Sequence, residues 1–166
     1  MTTVIFSHGQ ESGPRGAKIR AMADLVRGMG CAADSIDYRG IADPAERVEK
    51  CVRECRGIHG ALVLVGSSMG GHVATAAAER LGAAGLFVLA PAYYVAGYEA
   101  LTPAAPEMPI CIVHGWHDDI VPVENSIRFA RYCSATLHIV DGDHRLTANI
   151  DEINEYLRQF MKTIAA

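Results

Sequence analysis

Two serines stand side by side in LVGSSMGGHV, Leu64 to Val73, between glycines at the end of an apolar run. A serine hydroxyl is a weak nucleophile until a base takes its proton and a third group orients that base. A nucleophile carried on a tight strand-to-helix turn has a further requirement. The side chains two residues before and after it crowd the neighbouring strand and helix, so both must be small. Ser68 has Gly66 and Gly70 at those places, whereas Ser67 has Val65 and Met69. The spacing selects Ser68 as the candidate nucleophile and leaves Ser67 a supporting part.

The base and its orienting acid must come from elsewhere in the chain. Three other short stretches carry suitable groups: Ser7-His8-Gly9-Gln10, the run His114-Gly115-Trp116-His117-Asp118-Asp119-Ile120-Val121-Pro122, and Asp141-Gly142-Asp143-His144-Arg145-Leu146. In the order serine, acid, histidine, the acid follows a later strand and the base follows the last one. His144 fills the position of the base. Asp118 and Asp119 compete for that of the acid, since one of the two can instead cap the next helix or brace the loop. His138 falls in a strand, His72 in a helix and His59 just before a strand, where structural parts are expected.

These groups need elements to hold them. Short apolar, β-branched runs at Val4 to Phe6, Ala61 to Val65, Leu86 to Leu89, Ile110 to Val113 and Leu137 to Val140 read as strands, with a weaker one at Ser35 to Tyr38. Amphipathic stretches at Lys18 to Met29, Pro44 to Cys55, Met69 to Leu81, Val123 to Tyr132 and Leu146 to Met161 read as helices. The alternation predicts βα units in regular succession, hence a parallel sheet covered on both faces. Ligands of such sheets bind beyond the carboxyl ends of the strands, where the four chemically loaded stretches fall. One long irregular piece, Ala90 to Pro109, carries Pro91, Pro103, Pro106 and Pro109 together with Tyr93, Tyr94 and Tyr98.

Composition narrows the function classes. A chain of 166 residues fits one domain, 1–166, burying roughly 70% of the surface its unfolded form exposes. The N-terminal MTTVIFSHGQ has no basic region and too short an apolar run for a signal peptide or a spanning helix, so a cytoplasmic protein with no membrane partner is expected. The net charge of -4 and the lack of a basic run argue against a nucleic-acid partner. Cys31, Cys51, Cys55, Cys111 and Cys133 show no CxxC spacing and read as reduced thiols packed as small apolar groups.

Taken together, SHGQESGP, GSSMGG, HGWHDDIVP and GDHRL resemble the small serine hydrolases of the α/β-hydrolase superfamily, in particular the compact bacterial esterases. The resemblance runs from Ser7 to Leu146. It implies an α/β-hydrolase fold with a minimal parallel six-stranded sheet, helices on both faces and no cap domain, because the oxyanion loop already arrives at His8. Within HGxxDxxVP it assigns the acid to Asp118 and, after the last strand, the base to His144. It assigns the oxyanion hole to the backbone N–H groups of Gln10 and Met69; His8 itself reads as a residue that braces that loop. The activity implied is hydrolysis of small acyl esters through a Ser68-Asp118-His144 triad and an acyl-enzyme, with no metal or organic cofactor. Amide or peptide hydrolysis uses the same triad, and a non-catalytic interaction protein could keep the fold. Ala90 to Pro109 can supply only a loop or short lid. Its tyrosines Tyr93, Tyr94 and Tyr98 either line a shallow substrate pocket, suited to short acyl chains, or pack the loop onto the sheet.

Overall fold

The computed structural model describes residues 1–165. Six strands form one sheet: β1 (Thr2–Ser7), β2 (Ala32–Ile36), β3 (Ala61–Ser67), β4 (Gly85–Leu89), β5 (Ile110–Gly115) and β6 (Thr136–Val140). Their spatial order is β2-β1-β3-β4-β5-β6 and every neighbouring pair is parallel. Four helices lie between strands, α1 (Ala17–Gly28), α2 (Pro44–Cys55), α3 (Met69–Ala78) and α4 (Val123–Cys133), and α5 (Ile150–Ala165) follows β6. This is the α/β-hydrolase architecture expected from the sequence, with both faces covered and no inserted cap.

The pleat explains how both faces become apolar. In β3, Leu62 and Leu64 face the layer of α2, α3 and α4, while Val63 and Val65 face α1 and α5. Such two-sided burial is why the strands read as continuous apolar runs instead of alternating ones. The chain begins at an edge pair and then crosses to the middle of the sheet. The carboxyl ends of β1, β3, β5 and β6 consequently open along one rim, where the loops beginning at His8, Ser68, Trp116 and Asp141 meet.

Four details differ from the sequence reading. The weak strand pairs at Ala32–Ile36, earlier than Ser35 to Tyr38, because Tyr38 leaves the sheet and buries its ring, donating its backbone N–H to His8 Nε2 at 2.8 Å and meeting Ser7 Oγ at 2.9 Å. The succession of βα units is broken after β4, whose connection to β5 contains only a 3-10 turn at Glu99–Leu101, as four prolines within twenty residues require. α3 closes at Ala78, three residues before Leu81, through a left-handed Gly82 at φ 59°. α5 starts at Ile150 instead of Leu146, because Leu146 is itself left-handed and a 3-10 turn at Thr147–Asn149 precedes the helix.

Candidate active site

The turn between β3 and α3 is a strained elbow. Ser68 has φ 55° and ψ -118°, a conformation that L residues rarely adopt and that surrounding contacts must enforce. A Cβ on Gly66 would strike the carbonyl of Gly70, and one on Gly70 would strike the carbonyl of Ser7. The small residues on either side of Ser68 are therefore a packing requirement. The elbow is pinned by Ser68 N–H donating to Leu89 O at 2.9 Å and by Ala92 N–H donating to Ser68 O at 3.0 Å.

Beside the elbow stands the ring of His144. Its Nε2 lies 3.1 Å from Ser68 Oγ and its Nδ1 lies 2.8 Å from Asp118 Oδ2. A carboxylate oxygen only accepts, so Nδ1 carries the proton and Nε2 is left to accept from the serine hydroxyl. Asp118 Oδ1 accepts the backbone N–H groups of Ile120 at 2.9 Å and Val121 at 2.8 Å. The Asp118 side chain is fully buried, whereas Asp119 is exposed. The two loops can approach because β5 ends in Gly115: a Cβ there would meet the carbonyl of Gly142, and His117 N–H donates to that carbonyl at 2.9 Å. Ser68, His144 and Asp118, far apart in sequence, thus share one hydrogen-bonded line.

A second imidazole touches the same acid, and sequence reasoning missed it. His114, fully buried, places Nε2 3.0 Å from Asp118 Oδ2 and 2.8 Å from Val121 O, while Nδ1 lies 2.7 Å from Ser126 Oγ. Both partners of Nε2 only accept, so Nε2 is protonated and Nδ1 accepts the hydroxyl of Ser126. Burial lowers the pKa of His114 and keeps the ring neutral. Asp118 therefore receives four donors, two from the backbone and two from rings, which fill its lone pairs. The available signal was the repeated His-Gly pair: His114-Gly115 echoes His8-Gly9.

The loop after β1 lies over Ser68, for a Cβ on Gly9 would come within 3.5 Å of Ser68 Cβ. Gln10 belongs to no helix or strand, and among the described residues its N–H has no intramolecular acceptor. Met69 is the first residue of α3, whose N–H has no intrahelical partner. His8 braces the loop: it is 1% exposed, Nδ1 donates to Gly9 O at 2.7 Å and Nε2 accepts from Tyr38 N–H. Lys18, a residue the sequence did not single out, donates to Ser67 Oγ at 3.3 Å, and burial pushes its ammonium down to about 8.

The tyrosines of the irregular segment divide. Tyr93 belongs to the core and not to a pocket: it is 0% exposed, stacks on Phe129 at 4.0 Å and bonds through its hydroxyl to Thr75 Oγ1 at 2.5 Å. Tyr94 lies under the guanidinium of Arg128, 3.9 Å from ring centroid to Cζ, and lines a groove of about 540 Å³ with Thr102, Phe129 and Tyr132 that excludes Ser68 and His144. Tyr98 is 65% exposed. Among the described residues no three or more His, Cys, Asp or Glu are grouped as metal ligands would be, and no helix is long and apolar enough to cross a membrane.

Solved structures share this architecture over nearly the whole chain. A protein of Xanthomonas campestris pv. campestris, provisionally described as a hydrolase of the alpha/beta superfamily, is 28% identical, with 97% of this chain and 98% of that one covered at a TM-score of 0.90. Est1E of Butyrivibrio proteoclasticus, solved with ferulic acid bound, is 17% identical, with 99% and 90% covered at a TM-score of 0.86. A second Xanthomonas campestris protein, described as an α/β serine hydrolase without lid, is 18% identical, with 98% and 81% covered at a TM-score of 0.79. No curated protein sequence matches. With the fold that of the α/β hydrolases, residues 3–106 match the model of UPF0227, described as an uncharacterised protein family, and the chain belongs to that family.

Proposed function

We propose that this chain is a serine hydrolase that cleaves small acyl esters. The observation that carries the reading is the continuous line Ser68 Oγ, His144 and Asp118, with contacts of 3.1 and 2.8 Å. In this mechanism His144 Nε2 takes the hydroxyl proton as Ser68 Oγ attacks the ester carbonyl. Asp118 holds the imidazole in the required tautomer and stabilises the imidazolium. The oxyanion of the tetrahedral intermediate is received by the N–H groups of Gln10 and Met69, preorganised donors whose individual loss typically costs about 3 kcal/mol of barrier. Collapse returns the proton from His144 to the leaving alcohol. Water then repeats the sequence on the acyl-Ser68 ester and releases the acid.

The segment between β4 and β5 supports small substrates. It contains one 3-10 turn and hides Tyr93 in the core, so it offers no walls for a deep tunnel. A shallow site gains about 0.8 kcal/mol per CH₂ only while the chain can be buried. Hydrolysis of nitrophenyl esters should therefore favour acyl groups of roughly two to six carbons. A steady rise of kcat/KM toward palmitate would contradict this. Labelling by a fluorophosphonate tests the nucleophile: the probe should mark Ser68, S68A should abolish both labelling and hydrolysis, and labelling retained in S68A but lost in S67A would overturn the assignment.

A further inference from the structure

Arg47 is 2% exposed in α2, and among the described residues no carboxylate lies within ion-pair distance of it. An unpaired buried cation is expensive, because no counter-charge repays its loss of hydration. Its contacts are instead with backbone carbonyls. Nε donates to Ile41 O at 2.7 Å, Nη1 is shared between His8 O at 3.3 Å and Gly9 O at 3.4 Å, and Cζ lies 5.4 Å from the Tyr38 ring centroid. Two of these three carbonyls belong to the loop that covers Ser68.

The peptide unit turns this contact into aim. No peptide bond here is cis, and in a planar trans peptide the C=O of one residue and the N–H of the next point in opposite directions. Gly9 O is drawn inward by Arg47 Nη1, by His8 Nδ1 at 2.7 Å and by Ser12 Oγ at 3.5 Å. The Gln10 N–H must then point the other way. Donors on the carbonyl also polarise the peptide, strengthening its N–H by roughly 10–30% per bond in condensed-phase estimates. We infer that Arg47 is a positioning residue for the oxyanion hole: its guanidinium, with His8, fixes the Gly9-Gln10 peptide so that the Gln10 N–H is held toward the reacting carbonyl. This rests on the serine-hydrolase reading and extends it to a residue 38 positions from the loop it aims. A lysine could not replace it fully, because a single ammonium lacks the planar fork that reaches Ile41 O and the loop together.

The experiment compares wild type, R47M and R47K by pre-steady-state acylation with nitrophenyl acetate, with active sites counted from the burst. The same proteins are assayed for inhibition by an alkylboronic acid, whose tetrahedral adduct places an oxygen in the hole. In R47M, acylation per titrated site should fall about 10- to 100-fold, short of the 10²–10³ for outright loss of a donor, with boronate affinity falling in step. The dissociation constant of the substrate and the pH profile should stay unchanged. R47K, which keeps the cation and most of the packed stem, should fall between the two and is the variant to read if R47M does not fold. Wild-type acylation and boronate affinity in the folded variant, with only the melting temperature lowered, would overturn the inference and reduce Arg47 to a packing residue. Failure of the hydrolase reading looks different: the wild type itself would neither hydrolyse esters nor take the fluorophosphonate.

Discussion

The two His-Gly pairs, His8-Gly9 after β1 and His114-Gly115 at the end of β5, do opposite things with the same dipeptide. His8 keeps its proton on Nδ1 and gives it to the carbonyl of its own neighbour, accepting a backbone N–H at Nε2. His114 keeps its proton on Nε2 and gives it to Asp118 and Val121, accepting a hydroxyl at Nδ1. Burial holds both rings below the usual histidine range, hence neutral. One tautomer turns a peptide and the other completes the shell around a carboxylate. A buried histidine's part is thus decided by which acceptor the fold brings to which nitrogen.

The largest test of this contrast concerns the acid that His114 supports. D118N should lower kcat by about 10⁴-fold, since an amide supports the wrong tautomer of His144, whereas D119N, on an exposed side chain, should stay within about twofold. Comparable losses in steady-state hydrolysis would mean that the buried carboxylate is not the orienting group.

Removing each ring in turn should separate the two sides. H114A leaves Asp118 short of one donor and strands the Ser126 hydroxyl, so we expect a stability loss of about 1–3 kcal/mol by denaturant titration, with boronate affinity kept. H8A instead removes the shortest of the donors to the Gly9 carbonyl. It should slow acylation about tenfold or more and weaken boronate inhibition in step, as loss of the proposed aim of the Gln10 N–H requires. The same loss of boronate affinity in both variants would erase the distinction.

Both neutral rings also make stability depend on pH. A histidine whose pKa is lower in the folded state binds fewer protons there than in the unfolded chain. Its contribution is complete above the unfolded value of about 6.5 and is lost as the pH falls through the lowered folded value. The melting temperature should therefore drop between pH 7 and pH 5, and by less in a folded H114Q variant. The smallest effect belongs to Ser67: S67A breaks only the 3.3 Å contact with Lys18 and should change kcat/KM by less than about threefold.

Much of this was legible in the chain itself. Gly66 and Gly70 announced the elbow because their absent side chains are a local steric demand. His144 and the acid pair announced themselves by following strands. The edge strand was misplaced because AADSI, half exposed, lacks the apolar run that two-sided burial imposes on the central strands. Tyr93 was ambiguous because a tyrosine after a strand fits a pocket wall or a core equally well, and only the stack on Phe129 decides. Arg47 was missed in the sequence, although it falls in register with Cys51 and Cys55 on the buried stripe of α2, where a charge is out of place.

The sequence by itself determined the order of strands and helices, the elbow and the identities of the groups able to do acid–base chemistry, since periodicity and glycine spacing are set within a turn or two of the backbone. Only the tertiary structure decided that Asp118 faces inward while Asp119 faces water, that His114 shares the same carboxylate, and that a cation on α2 reaches the loop after β1. Those contacts join segments many residues apart, and their distances follow from the sheet order β2-β1-β3-β4-β5-β6 and the close approaches it permits, which no local pattern encodes.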